Sequence, residues 1–252
     1  MLSQMATALV PAFGRLTTSA DLTAVPAPGI LVANHTSLAD PGVVLAALRR
    51  MDIEPVVLAT AGLWRVPVLS HLLNRDGHVP VHRRTSRAAE ALETAAAALA
   101  AGRHVLIYGE GRIPPRRDAS EAAPEVFRSG PARLAAASGA CLIPVGQAGA
   151  RRLASGSGLK QLAGILTAPV RRPRLHVHVG APLRLPAEVE AASEAAHRAV
   201  TAAWRTAAQH VGEPVAPWSG PDGHTPTLPA VPAPPLPRVP TAGRLFGERV
   251  PR

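Results

Sequence analysis

Short apolar runs that alternate with helical patterns constrain this chain more than any other feature. Residues 29–33, 55–59, 78–81, 104–108 and 141–145 each read as a strand. Between them lie helical patterns over 43–48, 64–74, 87–101 and 131–138, and a terminal helix follows over 186–211. Ser86 suits the N-cap of the 87–101 helix and Gly102 its close. Strand and helix taking turns in this way predict an α/β fold with a mostly parallel central sheet flanked by helices. Pro80 lacks the N–H that a central ladder needs, so the 78–81 run belongs at an edge or a bulge. Residues 113–128 hold Pro, Arg and Asp without periodicity and read as an ordered loop.

The remaining segments divide the chain. Residues 1–20 mix apolar and small side chains at helical spacing and read as an N-terminal helical segment that docks on the rest, with membrane-surface binding the weaker alternative because Arg15 is its only cation. The main domain runs over 21–211. Beyond Gly212 fall eleven of the 27 prolines, which predicts a Pro-rich flexible tail over 212–252. Leu159 to Leu166 reads as a small amphipathic helix flanked by Arg151-Arg152 and Arg171-Arg172, a membrane-facing lip or a solvated surface excursion. Residues 175–179 alternate cleanly. His176 and His178 point the same way there but find no third ligand nearby, so the pattern reads as a half-exposed strand face rather than a metal site.

Composition narrows the partners. The formal charge is +10 and Lys160 is the only lysine, so the surface is rich in guanidinium groups that favour phosphates and anionic headgroups. Aromatic residues make up only 3%, too few for base stacking, and no nucleic-acid-binding module is present, so no nucleic acid is expected. Cys141 stands alone in an apolar run, which excludes an internal disulfide and a thiolate metal cluster. Met1 to Phe13 lacks a basic leader and cleavage site, and no uncharged run supplies the roughly 18 to 20 apolar residues that a spanning helix needs. The expected location is cytoplasmic, with peripheral attachment to the inner face of the cell membrane.

Chemistry collects at strand ends. The first run leads into Asn34-His35-Thr36-Ser37-Leu38-Ala39-Asp40-Pro41, with Asp40 suited to the N-cap and Pro41 to the first helical turn. His35 then sits in the turn between strand and helix, where the chain can fold its imidazole back towards the Asp40 carboxylate. Arg83 follows the third run, and Glu110-Gly111-Arg112 follows the fourth. In a parallel sheet all three clusters open on one edge, the usual ligand edge of such sheets. A base, a carboxylate partner, a phosphate-binding guanidinium and a second carboxylate suit deprotonation of a hydroxyl on a phosphorylated substrate. Asn34 adds a donor or holds the turn. No serine stands in a nucleophile elbow, which argues against a covalent acyl-enzyme.

Four blocks carry a family resemblance. Residues 34–40 resemble the N-H-x4-D signature of the glycerolipid acyltransferases, in particular the 1-acyl-sn-glycerol-3-phosphate acyltransferases. Gly77-His78-Val79-Pro80-Val81-His82-Arg83 resembles their G-x-I-P-V-x-R block, Tyr108-Gly109-Glu110-Gly111-Arg112 their F-P-E-G block, and Leu142-Ile143-Pro144-Val145 their V-I-P-V run. Order and spacing match over roughly residues 25 to 185. Gly109 stands where the family usually has Pro, and Ile113 where one form of the third block has Arg.

The resemblance implies transfer of a fatty acyl group from acyl-CoA or acyl carrier protein to the free hydroxyl of 1-acylglycerol-3-phosphate, giving phosphatidic acid in phospholipid biosynthesis. It implies His35 as general base oriented by Asp40, and Arg83, Glu110, Gly111 and Arg112 as binders of the acceptor's glycerol phosphate. It implies no metal and no cofactor beyond the thioester co-substrate, and a peripheral membrane partner. The altered third block keeps two alternatives in play: another lysolipid or glycolipid acceptor, or a catalytically silent lipid-binding relative.

Overall fold

A computed structural model describes residues 1–23, 25, 28–83, 88–114 and 120–213. The expected tail from residue 214 onward and the Ser86 cap lie outside the described residues. Among the described residues seven strands form one sheet: β1 (Arg15–Ala20), β2 (Gly29–Ala33), β3 (Val56–Thr60), β4 (Val79–Val81), β5 (Val105–Tyr108), β6 (Cys141–Ala148) and β7 (Arg174–Val179), in the order β1-β7-β6-β2-β5-β3-β4. The five strands from β6 to β4 run parallel. β7 pairs antiparallel with β6, and β1 then joins β7 in parallel. The mostly parallel α/β sheet read from the alternation is the architecture present.

Helices cover both faces: α1 (Leu2–Phe13), α2 (Asp40–Arg49), α3 (Pro67–Arg75), α4 (Ala88–Ala100), α5 (Gly130–Ser138), α6 (Gly158–Arg171) and α7 (Val189–Val211). The period-two pleat of β2 sends its side chains to opposite cores. Leu31 and Ala33 pack with α2, whereas Ile30 and Val32 pack with residues of α4, α5 and α7. Both sides of β2 are buried, which is why its sequence is apolar without alternation.

Several expectations meet a different outcome. The helical spacing over residues 1–20 is realised only over Leu2–Phe13, while Arg15–Ala20 is an edge strand whose partner lies about 160 residues away. The pattern over 64–74 divides into a short 3-10 turn, Ala61–Arg65, and α3, because Pro67 cannot supply the N–H that would continue one helix. Pro80 lies on β4, an edge strand, as its missing donor requires.

The face carrying His176 and His178 is buried rather than half-exposed. Thr17 and Ser19 of β1 bond the His176 ring at 2.7 and 2.9 Å, Ser19 also meets His178 at 2.9 Å, and His210 of α7 stacks on His176. Burial, then the neighbouring His210 and His178, pushes His176 down to about 4, so it is neutral at physiological pH. This cluster ties an edge strand to the sheet through neutral hydrogen bonds, and among the described residues no three His, Cys, Asp or Glu side chains are arranged to hold a metal ion.

Candidate active site

β2 ends at Ala33, and the next seven residues build the site as α2 begins. Asn34 is locked to β6 by two reciprocal bonds. Its amide donates to the Gln147 carbonyl at 3.1 Å, and its side-chain carbonyl accepts the Gln147 N–H at 2.8 Å. This side chain extends the β2–β6 ladder by one rung and leaves the chain free to turn at His35.

Asp40 is fully buried at the start of α2, with Ala39 rather than Asp40 at the N-cap position. Its carboxylate turns back into the preceding loop instead. One oxygen, Oδ2, accepts the backbone N–H of Thr36 at 2.5 Å and of Ser37 at 2.8 Å, and meets His35 Nδ1 at 2.9 Å. The Thr36 hydroxyl donates to the other oxygen at 3.4 Å. An acceptor-only carboxylate bonded to Nδ1 requires the ring proton there, which leaves Nε2 with its lone pair. Nε2 makes no hydrogen bond among the described residues. The ring of Tyr108 stacks on the imidazole at 4.3 Å between centroids, which holds the ring plane from one side.

Glu110 approaches from β5. Its Oε2 accepts the His35 N–H at 3.0 Å, while the buried Oε1 has no hydrogen-bond partner among the described residues. Burial raises its carboxyl to about 8 against the opposing help of two backbone N–H groups, with the Asp40 and Glu125 charges adding to the rise. Glu110 is therefore a neutral acid at pH 7, with a polar atom unspent beside the candidate base.

Gly111 takes the left-handed turn that follows, with φ +66°. Gly109, the departure from the family pattern, has a packing reason. A Cβ there would meet the Phe127 ring at 2.4 Å, and the Gly109 N–H donates to the Ala33 carbonyl at 3.0 Å, a bond no proline can make.

The other candidates are more distant. Arg112 is exposed and pairs with Glu125 at 3.2 Å on the rim of a cleft of about 550 Å3 that also borders Glu110, Phe127, Arg128 and His197. Arg83 is exposed after β4, on the rim that carries His35. β5 and β3 stand between β2 and β4, so three strand spacings, roughly 14 Å, separate the two backbones. The turn thus joins His35, Asp40 and Glu110 directly, while the two arginines occupy its periphery.

Two contributors, Gln147 and Arg151, carry no signature in the sequence motifs, and a third, Tyr108, stands in the third block without its role being legible there. Gln147 clamps Asn34 and donates its side-chain amide to Thr36 Oγ1 at 2.9 Å. Arg151 is 2% exposed, and its guanidinium reaches the Thr36 carbonyl at 3.4 Å. Tyr108 shields His35. Only a polar residue at the end of an apolar run hints at Gln147.

The sequence from residue 17 to residue 147 matches the family model described as Acyltransferase, half of the chain and all three of His35, Asp40 and Glu110. The chain belongs to the acyltransferase family. Among solved structures this acyltransferase is similar to the 1-acyl-sn-glycerophosphate acyltransferase PlsC from Thermotoga maritima. The TM-score is 0.63 at 16% identity, over 85% of this chain and 80% of that one. At that identity the likeness establishes a shared fold. No curated protein matches the acyltransferase in sequence.

Proposed function

We propose that this acyltransferase moves a fatty acyl group from acyl-CoA or acyl carrier protein to the free hydroxyl of 1-acylglycerol-3-phosphate, giving phosphatidic acid. The observation that carries the reading is His35: Nδ1 is committed to a buried carboxylate and Nε2 is left as an acceptor. In this mechanism Nε2 takes the acceptor's hydroxyl proton as the oxygen attacks the thioester carbonyl. Asp40 stabilises the imidazolium that forms. Collapse of the tetrahedral intermediate expels the thiolate, which recovers the proton from His35. The neutral Glu110 carboxyl offers the acceptor a hydrogen bond without repelling its phosphate. Arg83 and Arg112, with Gly111 setting the turn, supply the positive rim for that phosphate.

The test is mass spectrometry of products after purified protein is incubated with acyl-CoA and a mixture of lysolipids. Phosphatidic acid formed by the parent protein and absent with His35→Ala supports the reading. Acylation of a different lysolipid in preference would keep the chemistry and replace the acceptor. Thioester consumption at background with every acceptor would overturn it.

A further inference from the structure

Helix α6 is the least buried of the described α-helices, with only Ala168 buried among its 14 residues. Its exposed large side chains are Leu159, Leu162, Ile165, Leu166 and Val170, at steps of three, three, one and four residues, which is a helical stripe. Leu166 is 69% exposed and Val170 89%. Scattered exposed aliphatics are ordinary, but a contiguous stripe marks a surface that meets something apolar.

Charge indicates what that is. Residues 126–187 contain no Asp or Glu and nine Arg or Lys, whereas an even spread of the 17 acidic residues over 252 would put about four there. The α6 sequence carries Lys160 and Arg171, with Arg172 following, and no acid. Helix α1 lies beside α6 and also lacks acidic residues; the Arg172 guanidinium donates to the Pro11 carbonyl at 3.2 Å. An apolar stripe bordered by cations and free of anions complements an anionic bilayer rather than another protein's mixed surface.

The stripe is mechanically close to the chemistry. Gly164 packs where a Cβ would stand 2.5 Å from the Leu153 carbonyl, and the next carbonyl, that of Ala154, accepts the Ser37 hydroxyl of the His35 turn at 2.6 Å. Leu38, inside that turn, is 67% exposed. No helix among the described residues is long and apolar enough to cross a membrane, so attachment through a surface stripe suits this chain.

We propose that α6 is the surface by which the protein lies on an anionic lipid bilayer, its Leu159–Leu162–Leu166–Val170 stripe inserted among the acyl chains and its cations at the headgroups. This inference rests on the lipid acceptor reading for its purpose, but its test does not. The full chain is floated with vesicles of phosphatidylcholine and phosphatidylglycerol, and with vesicles of phosphatidylcholine alone. The parent should float with the anionic vesicles, and Leu162→Glu combined with Leu166→Glu should lower the bound fraction about tenfold.

Thermal unfolding of the double variant should match the parent, since both side chains point to solvent; Val170→Glu alone provides a milder second variant with the same direction. The rate on a short-chain, monomeric acceptor should be unchanged while the rate on vesicle-embedded acceptor falls. Equal flotation of parent and variants overturns the proposal, as does a parent that ignores anionic vesicles. A parent dimer that the variants dissolve without loss of flotation would assign the stripe to self-association and also overturn it. Loss of turnover with every acceptor would count against the proposed function alone.

Discussion

The Glu110 carboxyl accepts the backbone N–H of His35 at 3.0 Å, so a residue from one strand end fixes the position of the candidate base on its neighbour. The contact is made by an acid that burial, opposed by its backbone bonds and aided by the Asp40 and Glu125 charges, raises from 4.5 to about 8. Position and protonation are thus coupled at one side chain.

That coupling sets a stability profile. Between pH 4.5 and about 8 the folded protein retains the Glu110 proton and the unfolded chain does not, so this residue's contribution to stability falls as pH rises through that window and levels off above it. Glu110→Gln keeps an acceptor for the His35 N–H and removes the titration. Thermal unfolding of the variant should show a shallower loss from pH 5 to pH 8. The gain over the parent at pH 8 should be a few kcal/mol, since each tenfold difference in proton affinity between the folded and unfolded chains is worth ~1.4 kcal/mol. Parallel profiles for the two proteins would contradict the assignment.

Asp40→Asn tests the orienting carboxylate. An amide oxygen can still accept from Thr36 and Ser37, so the turn should persist while the imidazolium loses its counter-charge. The turnover number should fall by about 10²–10⁴, with a much smaller change in KM. A parent-like turnover number in a folded variant would remove Asp40 from the mechanism.

Arg83 should act on binding. Its exposed position across two strands from His35 suits capture of a phosphate, not the reacting hydroxyl. Arg83→Ala should raise KM for a phosphorylated acceptor about tenfold, equivalent to one charge-assisted hydrogen bond of ~1.5 kcal/mol, and leave an uncharged acceptor unaffected. Equal effects on both acceptors would sink the phosphate role.

Asn34 is structural in the same turn. Asn34→Ala strips partners from the buried N–H and carbonyl of Gln147, at about 1–3 kcal/mol for each. Denaturant titration should show a loss of about 2–6 kcal/mol, and an unchanged midpoint would contradict the clamp.

Gly109 and Phe127 should be coupled. Gly109→Pro removes the bond to the Ala33 carbonyl and drives the ring against Phe127. The substitution should destabilise less in a Phe127→Ala background, with an interaction energy of about 1–3 kcal/mol in a double-mutant cycle. Additive losses would mean that the ring does not explain the glycine.

Local information is enough for the elements that local forces build. Apolar runs such as 29–33 and 141–145 exclude water whatever their partners, so the parallel core is legible in the sequence, and so is the strand–turn–helix that carries His35 and Asp40. The Asp40 cap is not, because a carboxylate at that position has two uses, and only the folded loop brings the N–H groups of Thr36 and Ser37 within reach. Arg15–Ala20 has no strand signal of its own, since its ladder is completed by β7 from the far end of the chain.

What the chain's order of residues determined unaided was the sheet-and-helix architecture and the identity of the candidate reacting groups, because hydrophobic periodicity and side-chain chemistry are properties of neighbours along the backbone. Tertiary packing alone decided that Glu110 is neutral, that Gln147 and Arg151 brace the His35 turn, and that the α6 stripe stays uncovered. Each of these depends on desolvation or contact between residues distant in sequence, and neither quantity exists until the sheet has closed around them.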